Sequence, residues 1–125
     1  MESQPLRVLL VDDDVTTSSL VERQLRLNGI RVSYAPSINV ALATIPIVRP
    51  DVILLDVIFP DSTPRTSISR IRNAHPPPAQ LVLVSGLDRL ALAPLAQEFS
   101  ADMLLKPYSV DELARLLLES RKRTG

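Results

Sequence analysis

Short apolar runs alternate along the chain with segments whose apolar residues recur at helical spacing. The runs are predicted to be strands at residues 6–11, 30–35, 51–56, 81–85 and 101–105. In four of them an unbroken apolar stretch leads to the strand end, which is typical of parallel strands buried on both faces. The remaining run, 30–35, alternates apolar and polar positions, which predicts an edge strand with one wet face.

The first two predicted helices have recognisable limits. Residues 15–27 carry an apolar face and stop at Asn28-Gly29, where glycine can adopt the left-handed conformation that ends a helix. Ser37 is placed to cap a second helix. We expect Pro46 to break that helix, because proline lacks the backbone N–H that an interior position must donate.

The last three helices are less uniform. Residues 61–73 form a loop and the helix with the weakest pattern, and residues 88–99 form a helix that contains Pro94. That helix is predicted either to begin just before Pro94 or to be kinked there. Ser109 and Glu112 match the capping box of a final helix. Strand and helix thus alternate five times, which predicts an α/β doubly wound parallel sheet.

Composition limits the possible classes of protein. A chain of 125 residues that is 46% hydrophobic predicts one globular domain, residues 1–125 with a core of about 5–122, and no output domain. The 14 basic residues balance the 14 acidic ones, which gives no support to a nucleic-acid or membrane surface. There is no cysteine, no signal-like N-terminus and no long apolar span, so we expect a cytoplasmic protein.

Polar side chains follow four of the predicted strands. Asp12 and Asp13 follow the first strand, Asp56 the third, Ser85 the fourth and Lys106 the fifth. The carboxyl ends of parallel strands lie at one edge of a sheet, where ligands bind. The sequence therefore predicts three carboxylates, a hydroxyl and an ammonium at one edge.

This group of side chains suits phosphoryl chemistry. Two carboxylates about 4 Å apart repel by about 4 kcal/mol at an effective dielectric constant near 20, so the cluster needs a proton or a cation. Carboxylate ligands favour a hard divalent ion, of which Mg²⁺ fits best. Asp56 could then accept a phosphoryl group as an acyl phosphate, with Lys106 and Ser85 contacting its oxygens. Taken alone, the aspartates could be a polar helix-capping turn and Ser85 a structural hydroxyl.

Four motifs in this order resemble a known family. Val11-Asp12-Asp13, the apolar run into Asp56, Ser85-Gly86 and Lys106-Pro107 are similar to the receiver domain of two-component response regulators, the CheY-like superfamily. The resemblance covers the whole chain. It implies a flavodoxin-like sheet of five strands in the order 2-1-3-4-5 with five helices, and it implies that the protein is not an enzyme in the usual sense.

The resemblance also implies roles for the site residues. Asp56 would be the phosphoacceptor, and Asp13, Asp56 and the backbone carbonyl of Ile58 would bind Mg²⁺ directly, with Asp12 acting through water. Lys106 would pair with the phosphoryl group, and the bond into Pro107 would be cis. Ser85 would be the switch hydroxyl.

Three positions depart from the family pattern. Pro64 stands where a glycine is common, and Met103 occupies the switch position that usually carries an aromatic ring. Ile58 is bulky and apolar where water would approach the acyl phosphate, and we expect it to slow hydrolysis.

The resemblance implies a phosphorelay module. A sensor histidine kinase or a histidine phosphotransfer protein would supply the phosphoryl group, and an output protein or a fused effector domain would bind the face made by the fourth helix, fifth strand and last helix. Three alternatives stay open: an interaction module that no longer depends on phosphorylation, an aspartyl-phosphate phosphatase of the haloacid dehalogenase type, and a flavin-binding relative. The phosphatase would need a second aspartate where Ile58 stands, and the flavin protein would need a phosphate cradle where the acidic turn stands.

Overall fold

The fold is an alternating α/β structure, seen in a computed structural model that describes residues 4–124 and the side chains of residues 4–119. Its strands are β1 (Arg7–Val11), β2 (Arg31–Ala35), β3 (Val52–Asp56), β4 (Gln80–Ser85) and β5 (Asp102–Leu105). Its helices are α1 (Val15–Leu27), α2 (Ile38–Val48), α3 (Pro64–Ala74), α4 (Arg89–Glu98) and α5 (Val110–Thr124). No helix within residues 4–124 is long and apolar enough to cross a membrane.

All five strands are parallel and lie in the order β2-β1-β3-β4-β5, as predicted. β3 and β4 are buried along their whole length, whereas β2 keeps exposed and half-buried positions at the edge. One core cluster joins the sheet to α2, α3 and α4, and a second joins its other face to α1 and α5. The sheet is therefore covered on both faces, and its carboxyl edge carries the residues singled out above.

Side-chain caps fix where most helices begin. The carboxylate of Asp14 accepts from the N–H of Thr17 at the start of α1, and Ser37 accepts from the N–H of Val40 at the start of α2. Ser109 accepts from the N–H of Glu112 at 3.0 Å, as the capping-box pattern predicts. Each contact satisfies a backbone donor that has no partner within its helix.

The two helix prolines are accommodated within their helices. The predicted break at Pro46 is wrong, because α2 continues to Val48. Pro46 lies in the last turn, where it removes one ladder donor while its neighbour Ile45 stays buried in the core. α4 begins at Arg89, so Pro94 lies inside it, and a start next to Pro94 is ruled out.

His75 lies in the interior, although it precedes a run of three prolines of the kind typical of a surface turn. Its side chain is 5% exposed, and its ring Nε2 lies 2.8 Å from the carbonyl oxygen of Gln80. The buried guanidinium of Arg72 lies beside it and donates to the carbonyls of His75, Ala79, Phe99 and Ser100. These contacts pull the loop between α3 and β4 against the turn that precedes β5.

Candidate phosphoacceptor site

The acidic turn after β1 is held by the backbone of the neighbouring strand. The N–H of Asp12 donates to the carbonyl of Ala35 at 3.2 Å, and the carboxylate of Asp12 accepts from the N–H of Asp14 at 2.9 Å. Asp12 is buried, whereas Asp13 is exposed at the sheet edge. Asp14 caps α1, so the capping role considered for the whole triplet belongs to its third residue.

Asp56 is the last residue of β3 and is only 8% exposed. Its Oδ1 accepts from the backbone N–H of Ile58 at 2.9 Å, and its Oδ2 accepts from Nζ of Lys106 at 2.8 Å. The same Nζ lies 3.8 Å from Oδ2 of Asp12. The structure thus brings both carboxylates to one ammonium, although Asp56 and Lys106 are far apart in sequence.

Charge and burial shape the protonation of this group. Burial is the main reason that the pKa of Asp12 is raised, and the negative charges of Asp56 and Asp13 add to the effect. Partial burial by itself lowers the pKa of Lys106, but the hydrogen bond and charge of Asp56, helped by Asp12, outweigh it, so the pKa of Lys106 is raised overall. Lys106 therefore stays charged at neutral pH and compensates the two acids.

The predicted switch residues lie on the adjoining strands. Ser85 ends β4 and is fully buried; its Oγ accepts from the N–H of Leu87 at 3.0 Å, and its carbonyl accepts from the N–H of Lys106. Met103 is half-buried in β5 and packs against the core. The space around Gly86 is open, since a Cβ added there would meet no atom within 4 Å. The Lys106–Pro107 bond is cis, as expected.

Ile58 lies beside the carboxylate of Asp56. Its side chain is 48% exposed. The loop after it is closed by a bridge between Phe59 and Ser62, and α3 then begins with Pro64 at its first position and Thr63 as its cap. Proline suits this position, because its missing N–H would have no partner there.

The donor set fits a magnesium ion in kind. Asp12 and Asp56 already converge on a cation, the ammonium of Lys106, and Asp13 supplies a third, exposed carboxylate on the same turn. All three offer the hard oxygen ligands that Mg²⁺ accepts together with water. Among residues 4–119 no three acidic, histidine or cysteine side chains are already close enough to enclose an ion. The carboxylates would therefore have to draw together when an ion binds.

Tyr34 contacts the acidic turn but is not among the site residues predicted from the sequence. Its hydroxyl donates to the carbonyl oxygen of Asp12 at 2.6 Å, across 22 positions of sequence. The only sequence signal is its place near the end of an edge strand that neighbours the strand leading to Asp12. That placement becomes informative only once the pairing of β1 with β2 is known.

The site and the fold can be compared with known proteins. Residues 8–118 match the model of the response regulator receiver domain family. The chain belongs to this family. Because the match is to the receiver domain family, it favours a receiver over the phosphatase and flavin-binding hypotheses. Receiver domains are typically not classical enzymes. Receiver domains generally use Mg²⁺, which agrees with the donor set described above.

Curated relatives of this receiver domain are longer proteins. It is 32% identical to the transcriptional regulatory protein TrcR of Mycobacterium tuberculosis over 127 residues, covering 99% of this chain and 48% of TrcR. It is 31% identical to TcrX of the same organism, described as a probable transcriptional regulatory protein, covering 99% of this chain and 53% of TcrX. The chain spans about half the length of these relatives.

Solved structures support the fold. The receiver domain of a Francisella response regulator matches with a TM-score of 0.82 and 27% identity, covering 98% of this chain and 100% of that one. A two-component response regulator from Clostridium difficile matches with a TM-score of 0.87 and 21% identity, covering 96% of this chain and 98% of that one. The second match, at this identity, bears on the fold alone.

Proposed function

We propose that this receiver domain accepts a phosphoryl group on Asp56 and thereby changes its affinity for an output partner. The observation that carries the proposal is the ammonium of Lys106, held 2.8 Å from Asp56 and 3.8 Å from Asp12 at the carboxyl edge of the sheet. The desolvation cost of such a buried ion pair can exceed the attraction between its charges, so the pair is better explained by a functional role than by a gain in stability. The donor would be a phosphohistidine on a sensor kinase or phosphotransfer protein.

The transfer forms one bond and breaks one. A carboxylate oxygen of Asp56 bonds to phosphorus while the bond from phosphorus to the donor imidazole nitrogen breaks, and that nitrogen keeps the electron pair. The N–H of Ile58 orients the attacking carboxylate through Oδ1. Lys106 exchanges its contact with Asp56 for one with a phosphoryl oxygen, which places a positive charge where negative charge accumulates.

Magnesium held by Asp12, Asp13, Asp56 and the carbonyl of Ile58 would neutralise further charge on the phosphoryl oxygens. A second cation is needed because Lys106 alone faces two buried carboxylates and would face the charge of a phosphoryl group as well. Metal binding also relieves the mutual repulsion that contributes to the raised pKa of Asp12.

The signal would pass through Ser85 and Met103. The Ser85 hydroxyl now accepts from the N–H of Leu87, and it would turn to donate to a phosphoryl oxygen, which draws the loop after β4 toward the site. Met103 would fill the space that opens or closes beside this loop, since its side chain is flexible. The affected surface is formed by α4, β5 and α5, where we place the output partner or effector domain.

A shallow apolar groove next to the site suits the phosphodonor. It has a volume of about 480 Å³ and lies between α1 and the start of α5, and its lining residues include Leu20, Val21, Lys106, Pro107 and Val110. Leu20 is largely exposed there. A donor helix that packs its apolar face into this groove would bring its phosphohistidine to Asp56.

The test is incubation with acetyl phosphate and Mg²⁺, followed by measurement of intact mass. The wild type should gain one phosphoryl group, whereas Asp56→Asn should gain none and Lys106→Met should gain it far more slowly. Asp61→Asn, which changes an exposed acid in the adjacent loop, is the matched control and should label like the wild type. Labelling of Asp56→Asn at the wild-type level would overturn the proposal.

Met103 favours one second candidate, an interaction module that no longer depends on phosphorylation. Without an aromatic ring in β5, the coupling between Ser85 and the output face could be lost while the fold remains. Under this alternative, affinity for the output partner would be the same for wild type, for Asp56→Asn and for protein treated with acetyl phosphate.

A further inference from the structure

We propose that Tyr34 is a positioning residue that holds the acidic turn of Asp12 and Asp13 in the geometry required for Mg²⁺. This inference rests on the proposed function, because it assigns a support to the metal ligands proposed there. Its basis is the hydrogen bond of 2.6 Å from the Tyr34 hydroxyl to the carbonyl oxygen of Asp12.

The bond completes the attachment of Asp12 to β2. The N–H of Asp12 already donates to the carbonyl of Ala35, the residue after Tyr34. With the phenol added, both backbone polar groups of Asp12 are tied to the end of the same strand. The turn can then neither rotate about Asp12 nor lift from the sheet without breaking one of these bonds, and two of the three proposed metal-binding carboxylates, those of Asp12 and Asp13, lie on this turn.

Packing fixes the position of the phenol. Tyr34 is half-buried and packs against the core cluster that joins the sheet to α1 and α5. The edge position of β2 leaves room for the ring to reach past the strand end, where a fully covered strand would not. A donor held by a packed ring is pre-organised, so little side-chain entropy remains to be lost when it bonds.

The phenol remains a donor under all ordinary conditions. Burial is the first cause that raises the pKa of Tyr34, and the negative charges of Asp12, Asp13 and Asp14 raise it further. The nearby Ser18 hydroxyl acts in the opposite direction but does not outweigh them. That hydroxyl is buried and makes no hydrogen bond within the described residues.

The inference can be tested with Tyr34→Phe, which keeps the ring and removes only the hydroxyl. Hydrogen exchange at the amides of residues 12–14, measured without metal, should be faster than in wild type. The dissociation constant for Mg²⁺, measured by calorimetry, should rise about tenfold, at the lower end of what outer partners of metal ligands contribute. Ser33→Ala removes a hydroxyl from the neighbouring position of β2 and should change neither quantity.

Two outcomes separate this inference from the proposed function. If wild type and Tyr34→Phe bind Mg²⁺ equally well and exchange equally slowly, the role of Tyr34 is overturned while the metal site stands. Asp13→Asn should lose Mg²⁺ affinity in either background. If it does not, the proposed metal site is wrong, and with it any role of Tyr34 in metal binding.

Discussion

Asp12 is the residue at which the demands of folding and of function oppose each other. Its pKa is raised in the fold, mainly by burial, so the folded protein holds a proton at this carboxyl more tightly than the unfolded chain does. Its contribution to stability is therefore present at low pH and is lost as the pH rises through the folded-state pKa. At neutral pH without metal the ionised Asp12 weakens the fold.

Asp12→Asn should consequently raise the melting temperature of the metal-free protein at neutral pH. The amide oxygen can still accept from the N–H of Asp14, so the local turn is kept. The same change should reduce the further rise in melting temperature that Mg²⁺ produces in wild type. Asp13→Asn is the comparison, since Asp13 is exposed: it should lose the Mg²⁺ effect with no gain in metal-free stability. A metal-free Asp12→Asn less stable than wild type contradicts this account.

Ile58 should lengthen the lifetime of the acyl phosphate. Its side chain is half exposed and its backbone N–H donates to the carboxylate of Asp56, so we expect the side chain to hinder the approach of water. Ile58→Asn should speed hydrolysis of the acyl phosphate about tenfold, which is a change in the activation barrier of about 1.4 kcal/mol. The rate is measured as the loss of the phosphoryl mass over time after the donor is removed. Ile47→Asn, at an isoleucine that is 80% exposed near the far end of α2, controls for the loss of an exposed apolar residue. Equal lifetimes in all three proteins would refute the shielding role.

At the level of single residues, a sequence indicates local anomalies better than it indicates distant contacts. Lys106 stood out because a charge after an apolar run needs a partner, and the structure places it on Asp56. Tyr34 and Arg72 gave no such signal. Their partners are backbone carbonyls of distant segments, and every residue has a carbonyl, so no pattern of side chains could identify them.

Helices α2 and α4 each carry a proline that lowers their stability. Pro46 leaves the carbonyl of Leu42 without its ladder donor, and Pro94 does the same to Leu90. An interior proline makes a helix less stable than alanine does by about 3 kcal/mol. Replacement by alanine recovers only part of this, because proline also lowers the conformational entropy of the unfolded chain and so stabilises the fold.

Pro46→Ala and Pro94→Ala should therefore each stabilise the domain by about 2 kcal/mol in urea unfolding. Pro36→Ala, at an exposed position between β2 and α2, lacks the helix term and should be neutral or slightly destabilising. If both helix variants behave like Pro36→Ala, the prolines are not under strain in the fold.

The ends of helices could be predicted from the sequence where a single capping residue determines them. Gly29 adopts a φ of 78° after α1, and Ser37 and Ser109 cap the helices that they were expected to cap. The continuation of α2 past Pro46 could not be read in this way. Burial of Ile45 in the core holds the last turn in place, and that contribution depends on the other elements.

At the scale of the whole molecule, the amino edge of the sheet carries a polar cluster that joins α3, β4 and β5. Arg72 bridges α3, the loop before β4 and the turn before β5, and the side chain of Gln80 donates to Asp102 at 2.7 Å across β4 and β5. This cluster lies at the opposite end of the sheet from Asp56. Its contacts fix the position of α3 relative to β4 and β5, two strands of the sheet that carries the site.

His75 makes this cluster sensitive to acid. Burial is the largest cause and lowers its pKa; the hydrogen bond with the carbonyl of Gln80 raises it in part, and the nearby charges of Arg72 and Asp51 then act in opposite directions, so the pKa stays lowered overall. The unfolded chain therefore binds a proton at His75 more readily than the fold does. The stabilising effect of a neutral His75 is present above the unfolded-state value of 6.5 and is lost as the pH falls toward the lower folded-state pKa.

The free energy of unfolding should therefore fall as the pH drops from about 7.5 to 5, and His75→Gln should flatten that slope. His75 is the single histidine of the chain, so few other groups change charge in this window. Glutamine can still donate to the carbonyl of Gln80 but carries no proton that titrates, which separates charge from packing. Protonation of Asp12 stabilises the fold as the pH falls, so the decline in wild type would have to come from His75. An identical slope in the two proteins would show that His75 is free to take up a proton within the fold.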